Sequence, residues 1–281
     1  MNDKPALRLI IESQKKWHLK DLKELIYYKD LFYFLVLRDV TILYKQTVLG
    51  ILWAIINPLF QVVLFSVIFG KLAEINSNGI PYPIFSFAAI LPFGYFSQSL
   101  SAATGSLVGN SSVLTKVYFP RILVPLTPVI SKLADFMIAF ILLIIMMIFY
   151  NIVPTINLVF LPLLILLMIL TSLGLGMWLS SLAIQYRDVK FAIGFITTLL
   201  MYGAPVVFPA SLIIEKFGYT YYLLYGLYPM VGVIEGFRSS LLGFSPMPWD
   251  LIGIGSISSL IIFISGTYYF KRAERIFADV V

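Results

Sequence analysis

The chain has 281 residues, of which 60% are hydrophobic and 12% charged, against roughly 45–50% and 25% in ordinary soluble domains. A water-soluble fold of this size cannot hide that much apolar surface, so lipid is the main solvent. Cysteine is absent and His18 is the single histidine, which excludes disulfides and thiol chemistry and argues against a Cys/His zinc site.

The first residues carry Lys4, Arg8, Lys15 and Lys16 without an apolar stretch followed by a small-residue cleavage site, so no cleaved signal peptide is expected. Leu19, Leu22, Leu25 and Ile26 then recur at helical spacing, with Lys16, Lys20, Lys23 and Glu24 largely on other faces. This pattern predicts an amphipathic helix along the inner membrane interface, where its basic residues meet anionic headgroups.

Uncharged runs cover residues 46–70, 75–115, 136–186, 191–214 and 251–270, each near or above the length that crosses a bilayer. The second opens on Pro81 and Pro83 and turns polar at residues 109–112, which leaves one span near 84–108. The third is too long for one helix and breaks at residues 151–157, around Pro154, into spans near 122–150 and 158–184. Six spans result. Nine Lys and Arg residues precede the first span; Lys116 and Arg121 follow the second, Arg187 and Lys190 the fourth, and Lys271, Arg272 and Arg275 the last. The opposite side has only Lys71, Lys216 and Arg238, so the positive-inside rule places both termini in the cytoplasm.

Two connecting segments carry unusual chemistry. The cytoplasmic stretch 110–121 has Asn and Ser capping candidates, room for a two-turn helix and a proline stop, after which Tyr118 and Phe119 are expected to protrude beside Lys116 and Arg121. Such aromatics either anchor a cytoplasmic partner or rest at headgroup level. Residues 210–248 are too polar for a span and too apolar for a loose loop, and predict a re-entrant pair of short helices. Glu235 and Arg238, at i,i+3, can neutralise each other on one helix face near the outer surface.

Catalytic and nucleotide chemistry has little support. No Gly-x-x-x-x-Gly-Lys-Ser/Thr run is present, and Gly174 and Gly176 lie inside an apolar helix, where they favour close helix packing. The acids are scattered and mostly stand beside a base. Asp135 is the one ionisable candidate for ion coupling within a span, and Lys132 one turn earlier can pair with it. Energy for any transport therefore comes from elsewhere.

In this order the sequence resembles the ABC-2 type permease subunits that export lipid-linked polysaccharides such as O-antigen, capsular polysaccharide and teichoic acid. The matching stretches are Leu37-Arg38-Asp39, Tyr44-Lys45, Leu49-Gly50-x-x-Trp53 leading to Pro58, Pro81-Tyr82-Pro83 and the run from Lys116 to Arg121. Later come Gly176-Met177-Trp178-Leu179-Ser180, Tyr186-Arg187-Asp188-Val189, the segment from Pro229 to Arg238, and the terminal residues from Phe270 to Asp279.

The resemblance implies an all-α integral membrane protein of the ABC-2 transporter fold in the bacterial cytoplasmic membrane. Residues 1–45 would form a cytoplasmic segment, 46–270 a six-span domain and 271–281 a cytoplasmic tail. It further implies a homodimer with two copies of a separate ATPase that binds ATP and Mg, no cofactor in this chain, and a lipid-linked glycan and membrane lipids, but no nucleic acid, as partners. Within the loop 109–121, Lys116, Val117, Tyr118, Phe119, Pro120 and Arg121 would couple to the ATPase. The segment 209–248, with Pro209, Glu215, Tyr228, Pro229, Glu235 and Arg238, would form the outward gate. Aromatic faces suit sliding sugars, which makes Tyr33, Trp53, Phe60, Tyr95 and Tyr202 candidates for the path. Arg38 and Lys45 are candidates for a pyrophosphate-linked lipid head, or for local pairing with lipid or acid. The alternatives are export of a small hydrophobic compound and a membrane enzyme of polysaccharide assembly.

Overall fold

The computed structural model describes residues 26–45, 49–75, 77, 79–114, 116, 118–243 and 245–274, and the described residues are helical with no strand. The expected amphipathic helix falls almost wholly outside them, as do Val117 and the end of the tail. In chain order the helices are α1 (Lys29–Tyr44), α2 (Leu52–Phe65, continued by a π-helical turn at Ser66–Leu72), α3 (Tyr82–Gly109), α4 (Ser111–Leu114), α5 (Leu123–Ser131) and α6 (Leu133–Phe149). A 3₁₀ turn (Ile156–Phe160) then leads into α7 (Leu161–Gln185), followed by α8 (Asp188–Gly203), α9 (Ser211–Phe217), α10 (Tyr219–Tyr225), α11 (Pro229–Leu242) and α12 (Trp249–Ala273).

Four helical stretches among the described residues are long and apolar enough to cross a membrane: Leu52–Leu72, Leu123–Phe149, Ile156–Gln185 and Trp249–Ala273. Two further expected spans coincide with α3 and α8. Helix α3 is the bundle axis: 19 of its 28 residues are buried, and α2, α5, α6, α7, α8 and α11 all pack on it. Protein rather than lipid therefore surrounds it, which explains how it tolerates Ser86, Ser99, Thr104 and Ser106. All four return their hydroxyls to carbonyls of their own helix.

Prolines and glycines set the boundaries. Pro83, Pro162 and Pro229 stand in the first turns of α3, α7 and α11, where a missing N–H costs nothing. Helix α8 was expected to run uncharged to residue 214 but stops at Gly203. Ala204, restricted by Pro205 behind it, takes extended angles (φ −94°, ψ 155°). At 16 residues it is about 24 Å long, short of the roughly 30 Å hydrocarbon core. Close approach of α7 and α12 rests on glycine, as the sequence suggests. A Cβ on Gly174 would lie 2.7 Å from the Cα of Phe263, and one on Gly176 would lie 2.7 Å from the Ala103 Cβ on α3.

Two expectations need correction here. Among the described residues of the stretch 110–121, one helical turn, α4, forms rather than two. The segment after residue 210 forms three helices rather than a pair, with Gly218 at φ +89°, an angle that favours glycine, separating α9 from α10.

Candidate functional site

All 14 residues of α11 are buried, so Glu235 and Arg238, which pair as their spacing suggests, do so inside the protein. Their ion pair closes at 2.9 Å on a guanidinium with no exposed surface. Arg238 Nη2 also donates to the Val206 carbonyl at 2.7 Å, Nη1 to Phe208 at 3.2 Å and Nε to Phe85 at 3.3 Å. Its guanidinium carbon lies 3.7 Å from the centroid of the Phe85 ring. Glu235 Oε1 accepts from the Ala210 N–H at 3.1 Å, and the Tyr82 hydroxyl donates to the Val207 carbonyl at 2.8 Å.

These contacts explain residues 204–210. Non-helical backbone at membrane depth survives only where protein satisfies its polar groups, and here Arg238, Glu235 and Tyr82 do so. Nearby, the hydroxyls of Tyr225 and Tyr228 are buried without a hydrogen-bond partner among the described residues. Tyr219 donates to Asp250 at 2.7 Å, and that carboxylate holds the phenol above its ordinary pKa. Pro209 is buried at the clasp, whereas Glu215 is exposed on α9.

Elsewhere in the bundle, α1, α2, α3 and α6 surround a cavity of about 190 Å³. Lys132 bonds Asp135 at 2.8 Å, as its spacing suggests, and Tyr44 at the end of α1 donates to the other carboxylate oxygen. Burial, followed by the accepting Asp135, raises the Tyr44 pKa, so its hydroxyl remains a donor. Trp53 and Tyr95 line this cavity, the Tyr95 hydroxyl being fixed on the Val129 carbonyl at 2.8 Å. Three further lining residues, Asn57, Gln61 and Gln98, were not singled out from the sequence. Tyr33, Phe60 and Tyr202 are exposed and lie away from the cavity. Arg38 bonds Asp39 at 2.8 Å and Asn110 at 3.2 Å, the local acid pairing that was one of its two readings, while Lys45 is exposed.

In the loop between α4 and α5 the two aromatics separate. Tyr118 is 62% exposed, but Phe119 is 6% exposed and packs in the main core, so it does not protrude as expected. No helix holds residues 118–120, and the chain turns inward at Phe119 before α5. Arg121 donates to the Glu274 carbonyl at 2.7 Å and so ties the loop to the end of α12; Lys116 is exposed and Pro120 partly so.

The sequence profile of the ABC-2 type transporter family matches residues 30–242, which takes in α1 through α11. The chain belongs to that family. Its relatives include the O-antigen export system permease protein of Myxococcus xanthus, 26% identical over 92% of this chain and 98% of the relative. A protein of the same name from Klebsiella pneumoniae is 23% identical over 91% and 96%, and the polysialic acid transport protein of Escherichia coli is 24% identical over 85% and 92%. As an ABC-2 membrane protein the chain is a multi-pass transporter subunit. The glycine contacts between its helices and the buried clasp are features of its membrane domain.

Proposed function

We propose that this chain is the permease subunit of an ATP-driven exporter that moves a lipid-linked, O-antigen-like polysaccharide across the bacterial cytoplasmic membrane. The observation that carries the reading is the nearly full-length match to relatives named as O-antigen export permeases. In this proposal α3 and α8 complete six spans, the latter with help from residues 204–210, and both termini are cytoplasmic. Two copies of the chain enclose the path. Two separate ATPase subunits bind ATP and Mg and dock on the loop from Lys116 to Arg121, where exposed Tyr118 supports docking. Residues 209–248 form the outward gate.

The test is deletion and complementation. Loss of the gene removes surface glycan, the chain restores it only together with an ATPase subunit, and the two co-purify in equal copies. Unchanged surface glycan after deletion, or ATP hydrolysis by the purified chain alone, would overturn the proposal.

A further inference from the structure

The geometry points to a binding site for one neutral sugar ring of the exported glycan, formed by Asn57, Gln61 and Gln98 with Trp53 in the cavity among α1, α2, α3 and α6. This inference rests on the polysaccharide reading above and names where in the chain that substrate is held.

Trp53, Asn57 and Gln61 follow one another at i,i+4, so they share one stripe of α2. Gln98 faces them from α3, one turn beyond Gly94, where an added Cβ would meet only the Gln98 side chain at 4.0 Å. Gln61 is nine residues from the start of α2 and Gln98 eleven from the end of α3, which places both about 13–17 Å in from the cytoplasmic helix ends. The two carboxamides thus stand at matching depth.

None of the three carboxamides bonds another described residue, and all three are exposed to the cavity or its rim. At that depth an unpaired carboxamide facing hydrocarbon is costly, so three converging on one space call for a polar occupant. The class of occupant follows from the donor set. Each carboxamide both donates and accepts, as a sugar hydroxyl does, and none carries charge. The charged groups at the cavity, Lys132 and Asp135, already satisfy each other, with Tyr44 on the second carboxylate oxygen. No free cation among the lining residues is left for a phosphate. The indole of Trp53 offers a face to sugar C–H groups. About 190 Å³ is below the roughly 300–1,000 Å³ of pockets for larger ligands, which suits one ring at a time and a chain that slides through.

The test uses the full chain in lipid nanodiscs with Trp17, Trp178 and Trp249 replaced by Phe, so that Trp53 alone reports. The probes are free neutral disaccharides of glucose, galactose and mannose, with inorganic pyrophosphate as the charged counter-probe. A saturable change in Trp53 emission is expected with at least one disaccharide and none with pyrophosphate. Gln61→Met with Gln98→Met is expected to weaken the response at least about tenfold, through loss of two hydrogen-bonding groups. Because these side chains have no partner among the described residues, the double variant is expected to keep the parent's melting temperature. A response to pyrophosphate but no sugar, a sugar response that survives the double substitution, no sugar response at all, or a lowered melting temperature would each overturn the inference. Failure of the export reading looks different: the unmodified chain then restores no surface glycan in the deletion strain, whatever the nanodisc result.

Discussion

Replacing Arg238 by Met keeps most of the side-chain volume and removes all the donors that Arg238 brings to the clasp. Glu235 is then left buried with only the Ala210 N–H at 3.1 Å, and the carbonyls of Val206, Phe208 and Phe85 lose the donors that reach them at 2.7, 3.2 and 3.3 Å. Orphaning one member of a buried ion pair costs about 3–5 kcal/mol, and an unsatisfied buried polar group about 1–3 kcal/mol. These terms overlap, because residues 204–210 relax together, so the loss is set at about 3 kcal/mol or more. That is a large share of the ~5–15 kcal/mol that holds a typical fold. Arg238→Lys keeps the charge but loses the planar fork that serves four acceptors, and should fall between wild type and Met. Removing Glu235 as well, as Glu235→Leu with Arg238→Met, eliminates the unpaired charge and should cost clearly less than the two single losses added together. The assay is reversible unfolding in mixed micelles titrated with SDS, run on all four variants. A loss below about 1 kcal/mol for Arg238→Met, or strict additivity in the cycle, would refute the reasoning.

Gly174→Val places a branched side chain where a bare Cβ would already lie 2.7 Å from the Cα of Phe263, so α7 and α12 must part, with a loss of at least about 1–3 kcal/mol in the same titration. Phe119→Ala empties a core position and should cost about 3–5 kcal/mol, whereas Tyr118→Ala should change stability by less than about 0.5 kcal/mol. If Tyr118 anchors the ATPase, its removal weakens association by about 2 kcal/mol, and wild-type co-purification of Tyr118→Ala would reject that role. Single cysteines at Asn157 or Ser245 should react with an impermeant reagent from outside, and at Ser13, Ser112 or Val281 from inside alone, one reversal being enough to break the six-span topology.

What could be read from the chain is local in nature. The uncharged runs mark the helices because a span must be apolar along its own length, and the break at residues 151–157 is visible because Pro154 interrupts one such run. Gly174 signals a close neighbour, though only the fold names Phe263. Arg238 is the opposite case. Its i,i+3 spacing to Glu235 would look the same on a solvated helix, and its other acceptors are backbone carbonyls 30, 32 and 153 residues away, which have no side-chain identity to recognise. A signal was still available: Pro205 and Pro209 inside the uncharged run 191–214 imply non-helical backbone within the membrane, and such backbone needs buried donors.

The inner cavity was legible in the same uneven way. Among the aromatics chosen for the substrate path, Trp53 and Tyr95 meet there, while Tyr33, Phe60 and Tyr202 point elsewhere, since aromatic character does not distinguish a lipid-facing ring from a cavity-facing one. Polar groups inside uncharged runs discriminate better, because lipid tolerates them badly: Asn57 and Gln61 in the run 46–70, and Gln98 in the run 75–115, already mark the faces that turn from hydrocarbon. The ionisable groups complete the argument. Asp135 is paired with Lys132 and Tyr44, and Glu235 with Arg238 and the Ala210 N–H, so each of these carboxylates already has partners that hold it in place. Loading a driving ion on either would first have to break an existing pair, at a cost of several kcal/mol for the fully buried one at Arg238. The two pairs therefore fit fixed points of the bundle better than coupling sites, in keeping with the proposal above that a separate ATPase subunit supplies the energy.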